Sequence, residues 1–581
     1  MPLYSQLPIK LSVADVIIIG GGTAGCIVAS RLPDADPEFS ILVIERGGDN
    51  YGDPTIIHPA LYIMHMAPNS PRMQFHLGRK SAALGGREPI TPVAKVLGGG
   101  SSVNMLMYSR AQRSDFESWR AKGWSAEEML RQMRKLETFH GQGSDDQHGF
   151  DGPIHVSAGT YTSSRLDDAF MNAIDTVGWK EIQDLGDLDT NNGAQRALRY
   201  ISPKGLRQDT AHCYLHPRLR DGKHPNLHVL VESEVLKNSA ELRTIKARKM
   251  VIVSSGALGT PTILERSSVG DPDVLKRAGV KLVASVPGVG SGYEDHQVCS
   301  SPYKSNLDVQ ETLDGFVNGQ FDVPTMIGNN DKILGWNGLE ITCKLRPNAT
   351  GVATLGSDFQ TRWDKDYKNN PNKPMIGVTL VAGNTGDPTR VPAGQYFTAS
   401  TFNLYPYSRG YIHITGPGLR DTLDFDPGFF TDEHDIDIKK CRWAYKKQLE
   451  ITRRMDMYRG ELAVYHPPFP KSLEAACVEL DSPLGADITD INYTAADDDI
   501  IDQWLRNNIG TTWHSLGTCK MLPQENGDVV DTNLGVYGVT GLKVADLSIV
   551  PHNVGAHTNN TAMVIGETAS EIFIKELKLG S

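Results

Sequence analysis

Near the start of the chain, Gly20-Gly21-Gly22-Thr23-Ala24-Gly25 and, about twenty positions later, Glu45 have the types and spacing to hold a dinucleotide. Gly20 permits a tight turn, Gly22 lets the backbone approach a pyrophosphate, and Gly25 lets a helix pack closely on a strand. The first helical amides, at Thr23 and Ala24, and the positive end of the helix dipole face the phosphates. Glu45 is placed to accept hydrogen bonds from a ribose. The alternative is an ordinary glycine-rich turn, and the fingerprint by itself does not separate FAD from NAD.

The flanking residues supply the elements this chemistry needs. A β-branched run at 16–19 reads as a strand, an apolar helical segment follows through Leu32, and Ile41–Ile44 reads as a second strand ending at Glu45, which together make a βαβ unit. A second glycine bed lies at 96–104, where Gly98, Gly100, Ser101 and Asn104 bring amides and hydroxyls together without bulk. Such a bed suits a phosphate or the edge of a planar ring; a plain turn is the alternative.

At 581 residues the chain exceeds the usual span of one core, so two domains are expected. A formal net charge of −11 argues against nucleic acid or an anionic membrane as partner. The seven cysteines are scattered without a CxxC pair, which gives no disulfide framework and no metal site. No signal-peptide pattern and no uninterrupted apolar stretch of spanning length occurs, so the expected location is intracellular, cytoplasmic or peroxisomal.

The second half alternates strand and helix signals. Residues 411–414 read as a half-buried antiparallel strand, and a helix is expected from near Thr431 through Lys446 to Arg454, with Asp432 and Glu433 in its first turn. Another begins after Thr494 with an apolar face of Ile500, Ile501, Trp504, Leu505 and Ile509 and stops at Gly510. Its opening Asp497-Asp498-Asp499 reads as dipole complementation rather than a metal cluster. That helix leads to Trp513-His514, and a second histidine-bearing stretch, Asn553-Val554-Gly555-Ala556-His557-Thr558-Asn559, follows.

The run from 96 through MLMYSRAQRSDFESW resembles the first signature of the glucose-methanol-choline (GMC) oxidoreductases. SGALGTPTILERSSVG at 255–270 is similar to the second, with Ser268 where glycine is usual, and Pro287-Gly288-Val289-Gly290 with Asp295-His296 resembles a further family turn. Tyr407-Ser408-Arg409-Gly410 resembles a motif of the family's substrate-domain sheet. The resemblance implies an α/β fold in which a Rossmann-like FAD-binding domain is interleaved with an α+β substrate domain built on an antiparallel sheet. The FAD domain is expected at 1–306, with substrate-domain insertions near 150–195, and at 510–581; the substrate domain is expected at 307–509. One departure is the short stretch 236–248, where the family carries a longer hairpin after the strand whose Val235 would meet the adenine.

The same resemblance assigns chemistry. It implies FAD, and a histidine pair in which His514 takes the hydroxyl proton of an alcohol while His557 holds the same oxygen. The position two places after Gly555 selects His557 over His552, which reads as a surface turn residue. Asp546 and Leu547 resemble a flavin-contacting segment, and Thr558 and Asn559 open a last helix whose dipole favours negative charge at the flavin N1–C2 edge. Val103 stands near where covalent members carry a histidine, which implies non-covalent FAD.

Within the family, Thr511-Thr512-Trp513-His514-Ser515-Leu516-Gly517-Thr518, Val544-Ala545-Asp546-Leu547-Ser548-Ile549-Val550-Pro551 and the opening MPLYSQLP resemble the fungal alcohol (methanol) oxidases more than glucose, choline or cholesterol oxidases. The chain departs from the alcohol oxidases at His557, in place of asparagine, and at Met105, in place of an aromatic residue, so a pocket bounded by Met105 and Trp513 is expected to be roomier than methanol needs. The implied activity is oxidation of a primary alcohol to the aldehyde with O2 reduced to H2O2, by a homo-oligomer with no metal, no nucleic acid and no membrane partner. A related dehydrogenase or biosynthetic enzyme acting on a larger alcohol, and a flavin-retaining lyase, are the alternatives.

Overall fold

The computed structural model describes residues 2–235, 243–485 and 488–580. Its first layer is a six-stranded, wholly parallel sheet in the order Leu3–Tyr4, Leu227–Leu230, Ile41–Ile44, Val13–Ile19, Lys246–Val253, Leu542–Val544. Ile41–Ile44 is buried throughout, as a strand covered on both faces must be. Helix Thr23–Ala35 follows the first long strand and packs against Asn559–Leu577. Small residues make that contact close, since a Cβ at Gly566 would stand 3.1 Å from the Ala24 Cα; a Cβ at Gly25 would stand 2.2 Å from the Gly20 carbonyl oxygen, so this helix also sits tightly on its own turn. The last helix therefore packs on the first layer, more than 500 residues along the chain from the strand that precedes Thr23–Ala35.

The second layer is antiparallel except at one edge, where Lys180–Glu181 runs parallel to Gly193–Arg196. Strands Tyr458–Glu461, Gln297–Ser305, Tyr396–Asn403, Ile376–Val381, Leu339–Leu345 and Gly193–Arg196 lie side by side, with Lys180–Glu181 at one edge and Gly510–Thr511 paired to the start of Gln297–Ser305. Helix Ile436–Thr452 packs on Tyr396–Asn403. Two strands of this sheet, Lys180–Glu181 and Gly193–Arg196, come from the stretch around 150–195. A third begins at Gln297, ahead of the boundary expected at 307.

Two expectations are corrected. The long helix begins at Ile436 rather than near Thr431, because His434 and Asp435 have left-handed backbones (φ 71° and 53°) that interrupt it. Asp432 instead caps from outside, accepting the Ile436 amide at 2.6 Å. Strand Gly410–Ile414 lies outside the large sheet. It pairs with Ser291–Tyr293 and Leu423–Asp426, since the Asp437 carboxylate takes the amides of Tyr407 and Ser408 and turns the chain away. The acidic start of Ala495–Asn508 caps its helix as expected, through a capping box between Thr494 and Asp497, with Asp498 paired to Lys446.

Of the short stretch 236–248, residues 236–242 lie outside those described. Among the described residues no helix is long and apolar enough to cross a membrane.

Candidate active site

A cavity of about 980 Å³ runs between the two sheets. One end reaches Glu45 and Val235, the middle passes Gly22, Gly100 and Gly256, and the far end reaches Met105, His514 and His557. The expected residues Gly20, Gly22, Thr23, Ala24, Glu45, Gly100, Asn104, Met105, Val235, Trp513, Asp546, Leu547, Thr558 and Asn559 all line it. Gly25, Gly98 and Ser101 do not. Gly25 serves packing, the Gly98 amide donates to the Gly21 carbonyl at 2.7 Å, and the Ser101 hydroxyl donates to the Gly98 carbonyl at 2.7 Å. These three shape the loops that carry the lining residues.

The polar groups of the cavity wall fit an elongated anionic ligand with a flat end. Helices Thr23–Ala35 and Asn559–Leu577 both start at the cavity, and neither has a side-chain cap on its first amides. A Cβ at Gly100 or at Gly256 would meet nothing within 4 Å, so both backbones face open space. The Glu45 carboxylate is fixed by the Gly21 amide at 2.8 Å and the Gly47 amide at 2.6 Å, and each oxygen keeps acceptor capacity toward the cavity. Burial raises its pKa while those two amides lower it. Asn559 Nδ2 and His557 Nε2 are buried without a partner, as donors and acceptors awaiting a ligand are. Val103, also in the wall, offers no nucleophile for a covalent link.

Asp546 is occupied differently from the other wall residues. Its carboxylate accepts from the Thr260 hydroxyl at 2.6 Å and from the amides of Gly256 and Ser548 at 2.9 and 2.8 Å. It thereby ties the start of helix Gly256–Arg266 to the chain leading toward His557. Asn104 is held by Arg207, whose guanidinium donates to its side-chain oxygen at 2.9 Å.

At the far end three imidazoles form a chain. His514 Nδ1 lies 2.8 Å from His296 Nδ1, and His514 Nε2 lies 3.2 Å from His557 Nδ1. Burial depresses all three. His514 is driven well below 6.5, helped by its two neighbours; His557 falls to about 3 and His296 to about 4. The rings are neutral near pH 7, the form that accepts a proton. His552, by contrast, is exposed.

The turn that carries His514 is built on one buried carboxylate. Asp295 accepts from the hydroxyls of Thr511, Thr512 and Tyr293, the latter two at 3.2 and 3.0 Å, and from the His514 amide at 3.1 Å. Burial lifts it to about 6. Trp513 sits inside this turn at φ 60°, a left-handed conformation costly for a bulky residue and maintained here by the Asp295 and Thr511 contacts. Asp295 and His296 are the residues whose site roles sequence reasoning missed. The available signal was their adjacency within a recognised motif; the spacing of 218 positions between His296 and His514 carries none.

Two segments, residues 14–298 and 406–566, match family models described as GMC oxidoreductase. Alcohol oxidase of Candida boidinii is 37% identical over 637 aligned positions, covering 97% of this chain and 95% of that protein. Alcohol oxidase of Pichia angusta is 36% identical with the same coverage. Among solved structures, a formate oxidase of Aspergillus oryzae RIB40 superposes with a TM-score of 0.82 at 20% identity, covering 98% of this chain and 100% of that one. A fungal aryl-alcohol oxidase superposes with a TM-score of 0.74 at 20% identity, covering 98% and 100%. At these identities the two structures speak for the fold alone.

Proposed function

The chain belongs to the GMC oxidoreductase family, and from that premise we propose that it is an FAD-dependent alcohol oxidase, converting a primary alcohol to the aldehyde and O2 to H2O2. The observation that carries the reading is the continuity of one cavity from the Glu45 carboxylate to the His514–His557 pair. When bound, FAD supplies the hydride acceptor, flavin N5, and hands the electrons to O2.

The chain's own residues hold the cofactor and the proton. Gly22 and the first amides of Thr23–Ala35 take the pyrophosphate, Glu45 the adenosine ribose, and Asn559 with its helix start the flavin ring. Val103 makes the attachment non-covalent, so denaturing the yellow protein in acid releases unmodified FAD; flavin retained on the precipitate overturns that point.

His514 acts as base when its own proton sits on Nδ1 and is donated to His296, which makes Nε2, now in contact with His557 Nδ1 at 3.2 Å, the acceptor. A substrate hydroxyl that displaces the direct His514–His557 contact donates to His514 Nε2 and accepts from His557. Two fixed contacts on one oxygen also aim the adjoining C–H bond. The test is anaerobic. A primary alcohol under nitrogen bleaches the flavin, and admitting air restores the colour with one peroxide formed per turnover. Failure of every primary alcohol to bleach it overturns the proposal.

A further inference from the structure

Resting on the alcohol-oxidase reading, we infer that the pocket holds a subsite for a second hydroxyl of the substrate, formed by Ser300, Ser400 and Thr379, and that the substrate class is a terminal diol. These residues come from three neighbouring strands. Ser400 stands opposite Ser300 on one side and Thr379 on the other, so all three side chains rise in one rung on one face of the antiparallel sheet. All three line the cavity.

The neighbouring rungs are apolar where they meet the pocket. On the side toward the histidines the cavity wall is Val298 and Phe402, which are paired across the sheet. The Phe402 ring lies 5.0 Å from the His557 ring and 6.3 Å from the His514 ring. On the far side stands Val381. The hydroxyl rung is one alternate position beyond Phe402, a step of roughly 7 Å along the strand. A molecule with one oxygen at His514 and a short alkyl chain over Phe402 therefore brings its far end to this rung.

The hydroxyls have capacity to spare. Ser300 and Ser400 bond each other at 2.9 Å, which uses one donor and leaves one donor and several lone pairs. No described residue bonds the Thr379 hydroxyl. Thr342, opposite Thr379 in the same rung, and Thr385, in the cavity wall, each carry a buried hydroxyl without a partner. Buried polar atoms in native proteins are paired as a rule, so the unbonded Thr379 hydroxyl and the unpaired Thr385 hydroxyl near it in the same cavity wall point to a polar ligand group. A purely apolar alcohol would strand them.

The experiment compares alcohols that differ by one methyl-to-hydroxyl exchange: 1,4-butanediol against 1-pentanol and 1,5-pentanediol against 1-hexanol. The expected result is a kcat/KM ratio favouring the diol by about tenfold or more, since a site built to pair a hydroxyl discriminates against the analogue lacking it. In Thr379→Val and in Ser400→Ala the ratio falls toward one, and Thr379→Ser restores it. A wild-type ratio near one, or a ratio that neither substitution moves, overturns the subsite. A second arm measures binding rather than turnover: calorimetric titration of the FAD-loaded protein with a ditertiary diol, which cannot be oxidised, and with its monohydroxy analogue. Preference for the diol that Thr379→Val abolishes supports the subsite even where no alcohol bleaches the flavin, an outcome that sinks only the oxidase reading. Equal binding of the two analogues sinks the subsite.

Discussion

His296 Nδ1 faces His514 Nδ1 at 2.8 Å, with both rings buried, so the orientation and tautomer of the residue proposed as base are set by a side chain on another segment. Only one of the two facing nitrogens can carry the shared proton when both rings are neutral. If His514 carries it, His514 Nε2 is an acceptor; if His296 carries it, His514 Nε2 is a donor and cannot take a proton. Replacing His296 therefore changes which tautomer is available as well as how the ring packs.

His296→Ala should retain FAD and slow flavin reduction by roughly 10- to 100-fold, part of the range spanned by a positioned proton acceptor. His296→Asn, which keeps an acceptor at nearly the same place, should recover a measurable part. Single-turnover reduction with saturating alcohol distinguishes this positioning role from mere packing: equal losses in the two variants would count against it.

His514→Ala should leave the protein yellow and cut the same rate by roughly 10² to 10⁴. Stopped-flow reduction at saturating alcohol is the measurement. An unchanged rate would remove His514 from the mechanism.

The three depressed histidines predict a pH dependence in both rate and stability. A base neutral far below pH 6.5 gives a reduction rate that stays level from mildly alkaline pH down through 6.5; a break centred at 6.5 would contradict the burial-driven shift. For stability, the unfolded histidines titrate near 6.5 while His296 and His557 titrate at about 4 and about 3 in the fold. The unfolded chain thus binds more protons, and stability present above 6.5 is lost as pH falls toward those values. The loss approaches about 1.4 kcal/mol per pH unit for each histidine. Thermal melts of wild type and His557→Asn between neutral and acid pH should show a shallower acid-side fall in the variant.

Asp295→Asn tests the carboxylate beneath the His514 turn. Four donors converge on Asp295, and an amide offers one oxygen in place of two while pointing its own N–H groups at hydroxyls and an amide. The expected cost is about 2–4 kcal/mol, seen as a lowered Tm, together with a fall in kcat larger than the change in KM. A variant as stable and as active as wild type would show that the turn holds its shape without this anchor.

Met105→Phe addresses the space beside the histidines. Met105 lines the cavity and its carbonyl is fixed by Asn337 at 2.6 Å, so the backbone stays in place while the side chain swings. A rigid ring there should shift kcat/KM toward the smallest alcohols, measured over methanol, 1-butanol and an aryl alcohol. No shift, or methanol as the best wild-type substrate, would show that methionine already fills the volume.

What the sequence determined by itself is the local chemistry. Strand, glycine turn, helix and Glu45 are contiguous, and each residue type acts through its own backbone or its immediate neighbours, so Val13–Ile19, Thr23–Ala35 and Ile41–Ile44 emerge within a few residues of their expected bounds. Similarity of motifs to a known family extended this to the histidine pair. The start of the long helix was not legible, because left-handed backbones at His434 and Asp435 depend on an Asp432 cap that propensity does not reveal. Only the tertiary structure decided what surrounds the reacting end. The ring facing His514 lies 218 positions away, and the hydroxyl rung joins Ser300, Thr379 and Ser400 through strand register. Pairing of distant strands is fixed by burial of whole faces rather than by any residue's own preference, and that is where position along the chain ceases to predict neighbours in space.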